Sequence, residues 1–221
     1  VRGSECAAST GAVGVGGGEG GQAIRGRKLR EGGKLMATTL NGVCDRVKLI
    51  SSEQPFKNEW IARCRIEETL PEYNEPTLDV QLIQGITQQQ SKLEEIVEKA
   101  TEIGIRSIIP IYSKRTEKKT FNRSRLEKIL HNGCKQSYRA RMPELKDVMS
   151  LEDALADAQA AGRRIILLHE SASLGDSLSK ILQKDRSVNI ALVVGPEGGF
   201  DESEVALASN KYGAHIASLG P

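Results

Sequence analysis

Apolar and polar positions along this chain change rhythm twice. Residues 1 to about 23 carry almost no large apolar side chains and are rich in Gly, Ala and Ser. Such a stretch cannot offset its ordering entropy and is expected to be disordered or loosely packed. From 24 to about 76 the period shortens to two. Val43 to Ile50 reads as a strand, and Trp60, Ala62, Cys64 and Ile66 alternate with Ile61, Arg63 and Arg65, a half-buried antiparallel signature. Pro71, Asn74 and Pro76 then punctuate a linker.

After the linker, strand and helix patterns alternate. Leu78 to Gln84 predicts a strand, and Ser91-x-x-Glu94 reads as a capping box. The helix it opens has an apolar stripe of Leu93, Ile96, Val97, Ala100 and Ile103, with Gly104 as its stop. Ile105 to Tyr112 predicts a strand in which Pro110 removes a ladder donor and favours a strand end or a sheet edge. A helix from about Arg123 to Ser137 presents Leu126, Ile129, Leu130 and Cys134. Another from Leu151 to Ala161 stops at Gly162, and strand Arg164 to His169 follows. Asn189 to Val194 is a short apolar strand, and Asp201 can cap a helix with Glu204 three residues on. That helix presents Val205, Ala208 and Tyr212, and Ala214 to Leu219 predicts a last strand. The order implies an α/β domain: a mostly parallel sheet with helices on both faces.

At 221 residues and 38% hydrophobic content the chain can hold one large domain, or one with a small appendage. No apolar run approaches the roughly 20 residues that span a bilayer, and the start lacks the order of a secretory signal, so no membrane is expected and cytoplasmic residence is the default. Cys6, Cys44, Cys64 and Cys134 are scattered free thiols by this reading. His131, His169 and His215 form no metal-binding spacing, so no metal is expected. The formal charge is only +2, but Lys114 to Arg141 holds ten cations against Glu117 and Glu127. Such a block is either a solvated face or a polyanion-binding surface.

Candidate chemistry concentrates between the strand ending at Val194 and the helix after it. Gly195-Pro196-Glu197-Gly198-Gly199-Phe200 is a glycine-rich elbow, whose bare main chain lets a ligand approach at the carboxyl end of a strand. The plain alternative is a connection and nothing more. Asp201, Glu202 and Glu204 speak against a phosphate there, because they surround the helix start with negative charge. A formal G-x-G-x-x-G at Gly16, Gly18 and Gly21 has neither a strand before it nor a helix after it, and is rejected as a dinucleotide site.

Four segments together resemble the RsmE methyltransferases of the knotted SPOUT superfamily. They are the elbow, Lys99-Ala100-Thr101-Glu102-Ile103-Gly104, Gln136-Ser137-x-Arg139-x-Arg141-x-Pro143, and Ser218-Leu219-Gly220-Pro221. The resemblance is strong over 77 to 221 and weak over 24 to 76. It implies a knotted methyltransferase domain at 77–221, preceded by a partial PUA-like β-barrel domain at 24–76. It further implies methylation of N3 of a uridine in small-subunit (16S) ribosomal RNA, with S-adenosylmethionine as cofactor and small-subunit RNA or the assembled subunit as partner. A homodimer is expected from the superfamily.

The cofactor pocket so implied is built from Leu168 and His169, from Gly195, Pro196, Glu197, Gly198, Gly199 and Phe200, and from Ser218, Leu219, Gly220 and Pro221. Arg115, Arg139 and Arg141 are the candidates for holding RNA phosphate or for stabilising charge on a uracil carbonyl oxygen, and Arg123 joins them as an RNA contact. Gln136 and Ser137 either read a base edge or cap a helix end. Lys99 and Glu102, at i and i+3, fit a surface pair. Relative to that family the chain stops before an arginine- and leucine-containing segment and a closing helix, and its first barrel strands give way to the Gly/Ala-rich stretch. It is therefore expected to be truncated at both ends. A catalytically incomplete RNA-binding protein of the same fold is the alternative, and a nucleotide- or phosphate-binding α/β protein a more distant one.

Overall fold

The computed structural model describes residues 12–15, 30–56, 59–117, 121–170, 172, 177–184 and 187–219. They fall into two compact units, one formed by Val1–Glu75 with Tyr138–Met142 and the other by Pro76–Ser137 with Pro143–Pro221. The glycine run at 16–21 lies outside the described residues.

The first unit is an antiparallel sheet of β1 (Ala12–Val15), β2 (Lys34–Thr38), β3 (Val43–Phe56) and β4 (Glu59–Pro71), in the order β1-β4-β3-β2. The alternation read in the sequence buries Ala62 and Cys64 with Ala37, Val47 and Leu49, and leaves Arg63 and Arg65 in water. β3 and β4 run further than their apolar pattern predicts. Register shifts after Arg46, Leu49 and Glu53 let the ladder continue through polar residues by backbone pairing. Ala12–Val15 also departs from the expected loose N-terminal stretch: it pairs with β4, whose free edge offers unpaired N–H and C=O groups. Tyr138–Met142 completes this unit. Gly42 N–H donates to Ala140 O at 2.9 Å and Met142 N–H to Leu40 O at 3.1 Å, adding a short antiparallel bridge at Arg141.

The second unit holds a seven-stranded sheet. Its strands are β5 (Asp79–Gly85), β6 (Ser107–Tyr112), β7 (Glu144–Leu145), β8 (Met149–Ser150), β9 (Arg164–Leu168), β10 (Asn189–Val194) and β11 (His215–Ala217). The order is β11-β9-β10-β5-β6-β7, with β8 also on β6, and every one of these pairings is parallel. The helices are α1 (Gln90–Glu102), α2 (Arg123–Gln136), α3 (Leu151–Ala160), α4 (Leu178–Lys184) and α5 (Glu202–Tyr212). Ile165 and Leu167 of β9 pack with residues of α3 and α5, whereas Ile166 between them packs with Ile181 of α4. The period of two therefore covers both sheet faces with helices, as the β/α order predicts. The sequence pattern did not foresee α4. Among the described residues no helix is long and apolar enough to cross a membrane.

Three local expectations change. Helix α1 starts at Gln90 with Gln89 as N-cap and no side-chain cap bond, so Ser91 lies inside the helix and the Ser91/Glu94 box does not form. Ile103, assigned to the apolar stripe, is the C-cap and 75% exposed; the stripe ends at Ala100 and Thr101, while Gly104 takes φ +99 as a helix stop requires. Pro110 sits inside β6 and not at its end. It falls between Ser107–Ile108, which pair β7, and Ile111–Tyr112, which pair β8, so its missing N–H leaves no ladder position empty on that side.

Candidate functional site

β11, β9 and β10 are parallel neighbours, so the segments leaving their carboxyl ends, Leu168–His169, Gly195–Phe200 and Ser218–Leu219, emerge on one side of the sheet. Hydrogen bonds link them. His169 N–H donates to Ala217 O at 3.0 Å, and its Nε2 lies 3.4 Å from Phe200 O, a contact that requires the Nε2–H form. Ser218 O accepts the N–H of Leu178 at 2.9 Å. Gly220 and Pro221 lie outside the described residues.

The elbow is a turn closed by Gly199 N–H to Pro196 O at 2.8 Å, and Gly199 takes φ +68 with no atom of the described residues beyond its chain neighbours within 4 Å of where a Cβ would stand. Pro196 and Phe200 are buried, Phe200 within the main core at 1% exposure. Phe200 therefore anchors the loop from below, and Leu168 likewise packs towards α4, so both lend main-chain groups to the site. The turn runs so close to β5 that a Cβ on Gly85 would collide with the Pro196 nitrogen.

Polar contacts fasten the elbow to the loops after β5 and β6. Glu197 Oε2 accepts the N–H of Gln88 at 3.0 Å, and Glu197 Oε1 lies 3.7 Å from Lys92 Nζ. Partial burial works to raise the pKa of Glu197, but its own N–H, that of Gln88 and the Lys92 ammonium together hold it below the usual value. The Gln88 side chain donates to Glu117 at 2.7 Å. Arg115, exposed, donates from Nη1 to Gly198 O at 2.9 Å, and a Cβ on Gly198 would meet the Arg115 Cβ at 3.3 Å.

Asp201 caps α5 in a complete capping box with Glu204. The Ser203 hydroxyl, the Glu204 N–H and Lys114 push the Asp201 carboxyl down from 3.8 to about 2. The positive end of this helix is thus already answered by a carboxylate, with Glu202 and Glu204 beside it. An anionic ligand would meet these carboxylates there, although Lys114 and Arg115 counter part of their charge.

The remaining candidates of the basic stretch are placed less as its charge suggests. Arg123 bonds Glu127, Asp147 and the carbonyl of Leu145, tying α2 to the segment around β7. Gln136 is exposed on the last turn of α2, while the Ser137 hydroxyl donates to Gly133 O at 2.7 Å, the capping alternative. Arg139 is 2% exposed and grips Glu75 through Nη2 at 2.6 Å and Nε at 3.3 Å. Glu75 also accepts the N–H of Arg141 at 2.9 Å, and the Arg141 guanidinium pairs with Glu72. A buried guanidinium needs its countercharge inside the protein, and Glu75 supplies it for Arg139. Lys99 and Glu102 form a surface pair at 2.9 Å.

Gln84, Gly85 and Gln88 were not among the site residues read from the sequence, and Lys114 was read only as part of the basic block. One signal was available: Gln81 and Gln84, each 2% exposed, are polar interruptions in an otherwise apolar strand. Gln84 Nε2 donates to Gly85 O at 2.9 Å beside the elbow.

Residues 74–221 match the family model of the RNA methyltransferase domain. Ribosomal RNA small subunit methyltransferase E of Bacillus subtilis is 27% identical over 203 residues, 88% of this chain and 77% of the relative. The enzyme of that name from Mesomycoplasma hyopneumoniae is 30% identical over 163 residues, 72% of this chain and 68% of the relative. Among solved structures, ribosomal RNA small subunit methyltransferase E of Neisseria gonorrhoeae bound to S-adenosyl methionine superposes with a TM-score of 0.77 at 22% identity, covering 98% of this chain and 86% of that one.

Proposed function

The chain belongs to the RNA methyltransferase family, among the ribosomal RNA small subunit methyltransferase E enzymes, and on that premise we propose that it methylates N3 of a uridine in small-subunit ribosomal RNA, with S-adenosylmethionine as methyl donor. The observation that carries this reading is the convergence of three strand-end loops around a glycine elbow whose helix start is lined by carboxylates. When bound, the cofactor supplies a methyl group on a positively charged sulfur.

The fit is supported by the space that the described residues leave above Gly199, and by the carboxylates of Glu197, Asp201, Glu202 and Glu204, which outnumber the cations of Lys92, Lys114 and Arg115 around the elbow. Main-chain groups of Leu168, His169, Gly195 to Gly199, Ser218 and Leu219 hold the ligand in this reading. Phe200 anchors the loop, and Glu197 shapes it through Gln88. Arg115, exposed at the elbow, binds RNA phosphate or steadies negative charge on a uracil carbonyl oxygen as the N3 proton leaves. Alignment of N3 with the methyl group is the main demand on the protein. The reading includes a homodimer, a chain threaded as a knot and residence in the cytoplasm.

Incubation with small ribosomal subunits that lack the modification, and with cofactor labelled in its methyl group, should place label in the small-subunit RNA as 3-methyluridine. Label on a ribose hydroxyl or on another base atom would overturn the uridine N3 assignment. Calorimetric titration without cofactor binding would overturn the pocket.

A further inference from the structure

The Glu204 carboxylate does two jobs at once. It is 6% exposed, and its two oxygens accept N–H groups from different parts of the chain. Oε2 takes the N–H of Asp201 at 3.0 Å, completing the capping box at the end of the elbow. Oε1 takes the N–H of Lys114 at 2.9 Å, 90 positions away in sequence, in the turn that follows β6. A capping box requires only the first of these bonds. The second reaches the turn Ser113–Thr116, closed by Thr116 N–H to Ser113 O at 3.1 Å and by Ser113 N–H to the Thr116 hydroxyl at 2.9 Å. Arg115 is the next residue in that turn, and its guanidinium donates to Gly198 O.

We infer that Glu204 is a positioning residue for Arg115: it fixes the turn that carries this guanidinium against the elbow, so that the RNA-facing cation and the cofactor loop keep one geometry. The inference rests on the RNA methyltransferase reading above. A charged acceptor in a nearly dry site holds an N–H more firmly than a neutral one, and a guanidinium with one donor on a carbonyl keeps others for phosphate. Loss of the Lys114 bond frees the turn and lets Arg115 leave the position from which it meets RNA.

Lys114 allows a direct test because it is the second residue of its turn, where proline is favoured. Lys114→Pro deletes the N–H and keeps the turn. Lys114→Ala keeps the N–H and deletes only the ammonium that reaches Asp201 and Ser203. Methyl transfer to small subunits by the full chain should show an RNA KM about tenfold higher for the proline than for the alanine variant, the effect of losing one charge-assisted bond. The cofactor KM should differ far less. In a Glu204→Ala background, which leaves no side-chain acceptor for the Lys114 N–H, the gap between proline and alanine should close. Equal RNA KM values for the two variants, or a gap that survives Glu204→Ala, would overturn the inference. If Glu204→Ala does not fold, the proline and alanine pair decides alone; if Lys114→Pro does not fold, Glu204→Ala with an unchanged RNA KM overturns it. Wild-type protein that transfers no methyl group refutes the function itself, a different outcome.

Discussion

Glu75 and Arg139 illustrate how charge read along a chain misleads about charge in space. Their side chains are 1% and 2% exposed, and the carboxylate accepts from both the Arg139 guanidinium and the Arg141 main chain. Removing one partner from such a pair leaves a buried charge uncompensated, at a cost of about 3–5 kcal/mol. Glu75→Gln is expected to lower unfolding free energy in denaturant by that order, while Glu72→Gln at the exposed Arg141 pair changes it by less than about 1 kcal/mol. Similar values for the two variants would refute the brace. Asp201 has a different signature. Its carboxyl is held at about 2, below its ordinary 3.8, so its charge favours the folded state above pH ~4, and that contribution is lost as pH falls towards 2. The thermal midpoint gap between wild type and Asp201→Asn should therefore stay constant above pH ~4 and narrow below it. A gap that widens on acidification would contradict the assigned shift. The Ser203 hydroxyl and Lys114 that hold this carboxyl come from α5 and from the turn after β6.

Among the elements, α5 and α1 contrast. The Asp201/Glu204 box forms as the local rule predicted, and Gly213 ends α5 at φ +64. In α1 the same rule pointed to Ser91 and missed, because packing of Leu93, Val97 and Ala100 fixes the helix and its first turn runs back to Gln90. Gln89 occupies the N-cap with φ −98 and ψ 119, a conformation in which aspartate would bond the exposed N–H groups. Gln89→Asp is expected to raise stability by about 0.5–1 kcal/mol, read as a higher denaturant midpoint with unchanged slope. No change would mean that those N–H groups are already served by other partners. The pairing of α1 with α2 explains a residue of no evident sequence meaning: Gly133 lies where a Cβ would come within 3.0 Å of Thr101 Cγ2, so the helices approach closely there.

Across the whole molecule, short-range pattern determined a great deal. Periods of two and 3.6 gave the antiparallel first unit, the alternating second unit, strand β10 at its observed limits and the cap of α5, because each depends on neighbours in sequence. The glycine elbow was legible for the same reason: three glycines between an apolar strand and a capped helix have a local meaning. Strand order was not legible. Only the folded chain brings β11, β9 and β10 side by side so that three loops meet, and only it sets Gly85 under Pro196. The basic stretch shows the limit most clearly. Sequence gave its charge, but the partners of each cation lie far away along the chain, so tertiary structure alone separated Arg115 at the elbow from Arg139 beneath Glu75. Local chemistry is encoded over a few residues. A site assembled from distant segments is decided by the packing that brings them together.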